Sequence, residues 1–267
     1  MSLVALAGIG VLTGLTTVLF GFGGGFVAVP VVVWADAALG ADAMRVATAT
    51  SALVMVVNAG FATAVTPRRV LAALRGSGVL LLLLAAGAAA GALAGRVAPP
   101  GPARWAFVGY VALTVVDLLL RPGFLRPRAE HGDASGGPRP LPPLLGAPVG
   151  AVAAFLGVGG SVMTVPAMRR AGHPMRVATA LANPLTFAIA LPATAVSLSG
   201  PALTAVPDTH QRLVGLVDPV AAAALLLGAL PVIAVLRRRP PRIPDRAHSW
   251  AYIGLLALVA VAMLPLG

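Results

Sequence analysis

Two glycine tracts stand where apolar sequence would otherwise run unbroken, and they are the residues best suited to chemistry. Gly21-Phe22-Gly23-Gly24-Gly25-Phe26-Val27-Ala28-Val29-Pro30 has a counterpart in Gly157-Val158-Gly159-Gly160-Ser161-Val162-Met163-Thr164-Val165-Pro166. Such tracts leave backbone amides and carbonyls without helical partners. In hydrocarbon each unpaired group costs several kcal/mol, so this backbone persists only where protein buries it or a cavity receives it. Gly21, Gly23, Gly157 and Gly159 belong to the same candidate substrate-binding set. The apolar run after each tract reads as a short helix, whose free amides are those of Gly24, Gly25 and Phe26, and of Gly160, Ser161 and Val162. A helix N-terminus carries roughly +0.5 of an elementary charge. Two such termini converging at mid-depth hold a small anion without a buried arginine. Glycine suits the role because any Cβ blocks close approach to the backbone. The competing reading is tight helix packing by small residues. Repetition of G-x-G-G-[GS] in both halves favours the binding site.

A second pair of motifs follows the first. Met44-Arg45-Val46-Ala47-Thr48-Ala49 recurs letter for letter as Met175-Arg176-Val177-Ala178-Thr179-Ala180. Thr48, Thr50, Ser51 and Asn58 lie in the apolar block after the first tract, and Thr179, Asn183 and Thr186 in the block after the second. Their side chains suit hydrogen bonding to an oxyanion, or, for the hydroxyls, bonding back to their own helix carbonyls. Arg45 and Arg176 open the repeated hexapeptides, where a cation opposes the helix dipole. They are read either as attracting anions to two mouths or as anchors to lipid headgroups. Asp117 and Asp218 are candidates for proton coupling. Their places at block ends, with Arg121 close to Asp117, favour an interfacial role. His131, His173, His210 and His248 fall in loops or at block edges without metal-ligand spacing. There is no cysteine, which removes thiol and disulfide chemistry. No metal and no cofactor is expected.

The elements that must position these residues are membrane segments. Hydrophobic residues make up 58% of the 267 and charged residues 10%, against about 25% charged in a soluble domain. Apolar blocks run roughly 3–34, 46–65, 77–95, 105–120, 144–168, 177–198, 213–236 and 250–266. A span takes ~20 residues, so most blocks hold one helix, while the first and fifth are too long for one and too short for two. Residues 121–143, rich in Pro, Gly and Arg, read as a linker between repeats at 1–120 and 144–267. Pro184, Pro192, Pro219 and Pro231 are expected to kink spans. The start, Met1-Ser2-Leu3, lacks a basic n-region, so the first apolar segment is expected to be retained.

All nineteen basic residues are arginine. Eight simple crossings divide them eight to eleven, without bias. If the first and fifth blocks dip in and return at their glycines, each half has three crossings and the second half is inverted. Arg68, Arg69, Arg75, Arg121, Arg126, Arg128, Arg139, Arg169, Arg170, Arg176, Arg237, Arg238, Arg239, Arg242 and Arg246 then share one side. Arg45, Arg96, Arg104 and Arg212 take the other. That asymmetry is the one the positive-inside rule expects. The predicted fold is thus all-α and polytopic, with two inverted repeats. Each is a glycine-broken re-entrant or broken helix plus three transmembrane helices, about eight membrane segments in total. The linker is cytoplasmic and both termini lie outside. The net charge of +11 belongs to loops facing anionic lipid, not to a nucleic-acid groove, which would interleave aromatics with basic residues.

The order of apolar helix, G-x-G-G-[GS], short helix ending near Val-Pro and Ala-Thr-rich helix, present twice, resembles the sulfite exporter TauE/SafE family. The resemblance covers nearly the whole chain and rests on Gly21–Pro30, Gly157–Pro166, Ala47–Ser51 and Val177–Ala180. Thr50-Ser51 matches the family's Thr-Ser pair, whereas the second copy has Leu181-Ala182 followed by Asn183-Pro184. The resemblance implies a multi-pass transporter in a bacterial plasma membrane, with the lipid bilayer and a small sulfur-containing or organic anion as partners. A coupled proton or other ion is compatible with it. A channel of the same fold is the alternative. A dinucleotide loop is excluded by the apolar surroundings, since that motif needs a soluble βαβ unit. Ser161 with His173 lacks the third, orienting group of a hydrolase, so no enzyme activity is expected.

Overall fold

The computed structural model describes residues 3–35, 37–125, 139–199, 213–239 and 241–264. Its regular elements are helices, apart from one isolated β-bridge between Val214 and Val217. In chain order they are α1 (Leu3–Phe20), α2 (Gly25–Ala35), α3 (Ala43–Ala64), α4 (Arg68–Leu71), α5 (Gly78–Val97), α6 (Pro100–Leu120), α7 (Gly146–Leu156), α8 (Ser161–Arg170), α9 (Met175–Leu198), α10 (Pro219–Arg238) and α11 (Asp245–Ala262). Among the described residues, α3, α5, α9, α10 and residues 102–120 of α6 are long and apolar enough to cross a bilayer. Leu82, Leu113 and Leu227, on α5, α6 and α10, are more than two-thirds exposed. Water would penalise such surfaces, and lipid does not.

Apart from the single turn α4, the helices on the two sides of the linker follow one order. α1, α2, α3, α5 and α6 correspond to α7, α8, α9, α10 and α11. The short helices match the sequence expectation, with α2 at 11 residues, α7 at 11 and α8 at 10. α1 is longer, at 18 residues. At 1.5 Å per residue the short ones reach about half of a ~30 Å core.

The packing exchanges partners between the halves. α1 lies along α10, α7 lies along α5, and α3 meets α9 in the middle. Glycine permits the outer pairs. A Cβ on Gly228 of α10 would stand 2.0 Å from the Ala7 carbonyl oxygen, and one on Gly87 of α5 2.0 Å from that of Ala147. Facing them, a Cβ on Gly10 or Gly14 of α1, or on Gly146 or Gly150 of α7, would stand 2.1 to 2.8 Å from a partner carbonyl oxygen. These i, i+4 glycines form the small-residue seams by which membrane helices approach closely.

Two sequence expectations change. Pro219 does not interrupt a span. It occupies the first turn of α10, where its missing N–H costs nothing. Pro184 and Pro192 in α9 and Pro231 in α10 are interior as expected. Arg169 is not a loop arginine. It lies in the last turn of α8, fully buried, with an ion pair to Asp245 at 2.7 Å and two bonds to the Phe124 carbonyl at 2.9 and 3.1 Å. Those partners offset the desolvation of its charge. Arg126, Arg128, Arg212, His131 and His210 lie outside the described residues.

Candidate functional site

The two glycine tracts form tips at the contact between the halves. Positive φ angles at Gly21 (74°), Gly23 (62°), Gly24 (84°), Gly157 (70°) and Gly159 (71°) turn the chain where any other residue would be strained. Each tip enters the opposite half. A Cβ on Gly21 would lie 2.5 Å from the Thr179 carbonyl oxygen, and one on Gly157 3.1 Å from the Cα of Thr48. Thr48 and Thr179 hold the same place in the repeated hexapeptide. Deeper, the tips share neighbours. A Cβ on Gly23 would stand 2.9 Å from the Thr186 methyl and 3.3 Å from Met55, and one on Gly159 3.2 and 3.0 Å from the same two side chains. Met55 and Thr186 again correspond, each eleven residues beyond the methionine opening its repeat.

The hydrogen bonds at the tips end early. Gly21 N donates to Thr17 O, Ala28 N to Gly24 O, and the amides of Met163 and Thr164 to Gly160 O. The amides of Gly24, Gly25, Phe26, Gly160, Ser161 and Val162 donate to no protein acceptor among the described residues. All six residues are buried. Ser51 Oγ donates to the Gly157 carbonyl at 3.2 Å and Thr186 Oγ1 to that of Gly21 at 3.4 Å, so each carbonyl at a break is held from across the interface.

The remaining predicted site residues divide. Asn58 packs beside Gly24, and neither end of its fully buried carboxamide has a partner. Ser161 Oγ, at the start of α8, is also buried and unpartnered, while the Ser161 carbonyl accepts from Tyr252 Oη at 3.0 Å. Asn183 donates to Thr179 O at 3.2 Å and leaves its Oδ1 free. Thr50 is not brought to the tips. Its hydroxyl accepts from the Asp218 amide at 2.9 Å. Phe26 packs with Phe22 (ring centroids 4.9 Å apart) and Phe107 (6.0 Å) in an aromatic cluster completed by Phe20, Phe124 and Tyr252. Asp117 is paired with Arg121 at 2.9 Å and Arg170 at 2.6 Å. Asp218 caps α10 by accepting from Val220 N and Ala221 N. Of the loop histidines, His173 is half-buried, and desolvation pulls its pKa below the ordinary value. No group of three or more candidate metal ligands occurs among the described residues.

A vestibule adjoins each tip. The wide one, about 430 Å³, is lined by Thr179 beside the first tip and by Arg69, Arg176, Arg237 and His248. The narrow one, about 40 Å³, is lined by Thr48 beside the second tip and by Arg45, Arg96 and Ser197. Arg45 is tied to Asp42 at 3.0 Å and to the Ala98 carbonyl at 2.7 Å. Arg96 donates to the Val196 carbonyl and to Ser199 Oγ. Arg176 and Arg237 show no such ties among the described residues. Arg96 and Arg237 were missed in the sequence, although they stand at equivalent places in the last turns of α5 and α10.

A family model described as "Sulfite exporter TauE/SafE" matches residues 6–263. No curated protein and no solved structure matches the chain.

Proposed function

The chain belongs to the TauE/SafE sulfite exporter family and is a multi-pass membrane transporter of the sulfite or anion type, and from that premise we propose that it moves a small oxyanion past the two glycine tips by alternating access. The cargo is sulfite, a sulfonate or another organosulfur or organic anion, and the direction is export across a bacterial plasma membrane. The carrying observation is the meeting of two helix N-termini, each with free buried amides, at the contact between the halves. Gly21, Gly23, Gly157 and Gly159 shape the tips. Gly24, Gly25, Phe26, Gly160, Ser161 and Val162 offer amides, and Asn58 and Asn183 add carboxamide groups. Thr48 and Thr179 stand where each vestibule reaches its tip.

The vestibules support both the inverted topology and the carrier reading. Arg69, Arg176 and Arg237 of the wide one belong to the fifteen arginines assigned to the cytoplasm, and Arg45 and Arg96 of the narrow one to the four assigned outside. The conformation is then inward-open. A channel would need both sides open together, and the narrow side is about a tenth the volume of the wide one. Asp117 and Asp218 are already engaged by cations or by a helix start, so a coupled proton would need another carrier.

The test is [35S]sulfite flux in proteoliposomes. Saturable flux is expected, abolished by Gly24→Val and by Gly160→Val with insertion intact. Unimpaired flux in both variants defeats the amide cradle, and non-saturable flux favours the channel.

A further inference from the structure

The wide vestibule holds a guanidinium whose best edge is empty. Arg237 lies in the last turn of α10. Its Nε and Nη2 atoms are buried and donate to nothing in the protein among the described residues. Those two N–H groups form one side of the planar fork, spaced to meet two oxygens of a carboxylate, sulfonate or sulfite together. A buried donor without a partner is destabilising, and more so when charged. Arg176 lines the same cavity, and no acidic residue lines it among the described residues. Asp245, at the start of α11, is spent on Arg169 and on the Met175 amide. With Arg69, three guanidiniums thus line one cavity with no carboxylate among its described lining residues.

The narrow side shows what the same position does in the smaller vestibule. Arg96 donates through Nη2 to the Val196 carbonyl at the end of α9. The counterpart of Val196 is Val65, just past the end of α3, and Val65 and Arg237 both line the wide vestibule. With the vestibule open, Arg237 and that carbonyl are not bonded.

We propose that Arg237, assisted by Arg176, is an oxyanion-docking site in the wide vestibule, taking a small sulfur oxyanion or carboxylate on its Nε/Nη2 edge before the anion reaches the tips. This rests on the reading that the chain carries small oxyanions. Docking and closure compete for Nη2, because the clasp seen at Arg96 uses that half of the edge docking needs and leaves its own Nε unpartnered. The ligand chemistry is an oxyanion, and a soluble anion and a phospholipid headgroup both supply it.

The experiment is equilibrium binding of [35S]sulfite to the full chain in phosphatidylcholine nanodiscs. R237Q should weaken binding about tenfold or more, and R237K, which keeps the charge but loses the fork, about threefold or more. R68Q, at an exposed arginine outside both vestibules, should stay within about twofold, as expected of a screened surface charge. Binding by R237Q or R237K indistinguishable from wild type overturns the proposal, as does a wild type that binds no sulfite. Native mass spectrometry separates the two sources. An anionic phospholipid held by wild type, lost in R237Q and not displaced by sulfite, would also overturn it. Saturable wild-type flux that Gly24→Val abolishes would leave the transport reading standing in each of those cases.

Discussion

The two vestibules are built from equivalent positions of the repeat, yet one is about 430 Å³ and the other about 40 Å³. Thr48 and Thr179 mark their floors, Arg45 and Arg176 their rims, and Arg96 and Arg237 the helix ends beside them. What differs is where the guanidiniums spend their hydrogen bonds. On the narrow side they are fastened to Asp42, Ala98, Val196 and Ser199. On the wide side they face the cavity. Duplicated sequence therefore supplies two copies of one arrangement, and packing makes one vestibule narrower than the other.

The largest effects should come from the floors. Gly21→Val and Gly157→Val combine a forbidden φ with Cβ atoms driven into the Thr179 carbonyl and the Thr48 backbone. Both should lose flux entirely, with a fall of several degrees in melting temperature; normal flux in either would separate that tip from its vestibule. Next is Arg96→Ala. Because the chain has no cysteine, Thr48→Cys can report on the narrow side alone. Removing the Arg96 clasp should speed its labelling by a membrane-impermeant maleimide several-fold, and an unchanged rate means the clasp does not close that side.

Asn58→Leu gives a smaller effect with opposite signs in two readouts. Its carboxamide has no partner, so relieving it should stabilise the fold by about 1–3 kcal/mol. Flux should nevertheless fall, since the cargo loses a partner. Stabilisation with full flux would make Asn58 a packing residue. Asp218→Ala should do least. Losing the α10 cap costs about 1 kcal/mol, with flux within about twofold of wild type, and a larger loss of flux would return Asp218 to the transport pathway.

Much of this was legible in the residues. The glycine tracts and the half-length helices follow from local rules, because φ > 0 needs glycine and a rise of 1.5 Å per residue turns the count of residues between breaks into a length. The seam glycines Gly10, Gly14, Gly146 and Gly150 carried a readable i, i+4 signal that the tracts overshadowed. Arg96 and Arg237 had only a weak one, equivalent places near the ends of corresponding blocks. The bond between Thr50 and the Asp218 amide was not legible, because the two lie far apart in sequence. Arg169 was misjudged for the same reason, since Asp245 and Phe124 reach it only in the folded chain.

By itself the sequence determined that this is a membrane chain of two related halves, where each half breaks, and which amides the breaks free. Those are properties of composition and of short stretches of backbone. Only the tertiary structure decided that each tip enters the other half, that α1 pairs with α10 and α7 with α5, and that one vestibule is narrow while its equivalent is wide. Two copies of a motif specify two equivalent vestibules. Breaking that equivalence takes contacts between residues distant in the chain, such as Arg96 with Val196, which no local pattern records.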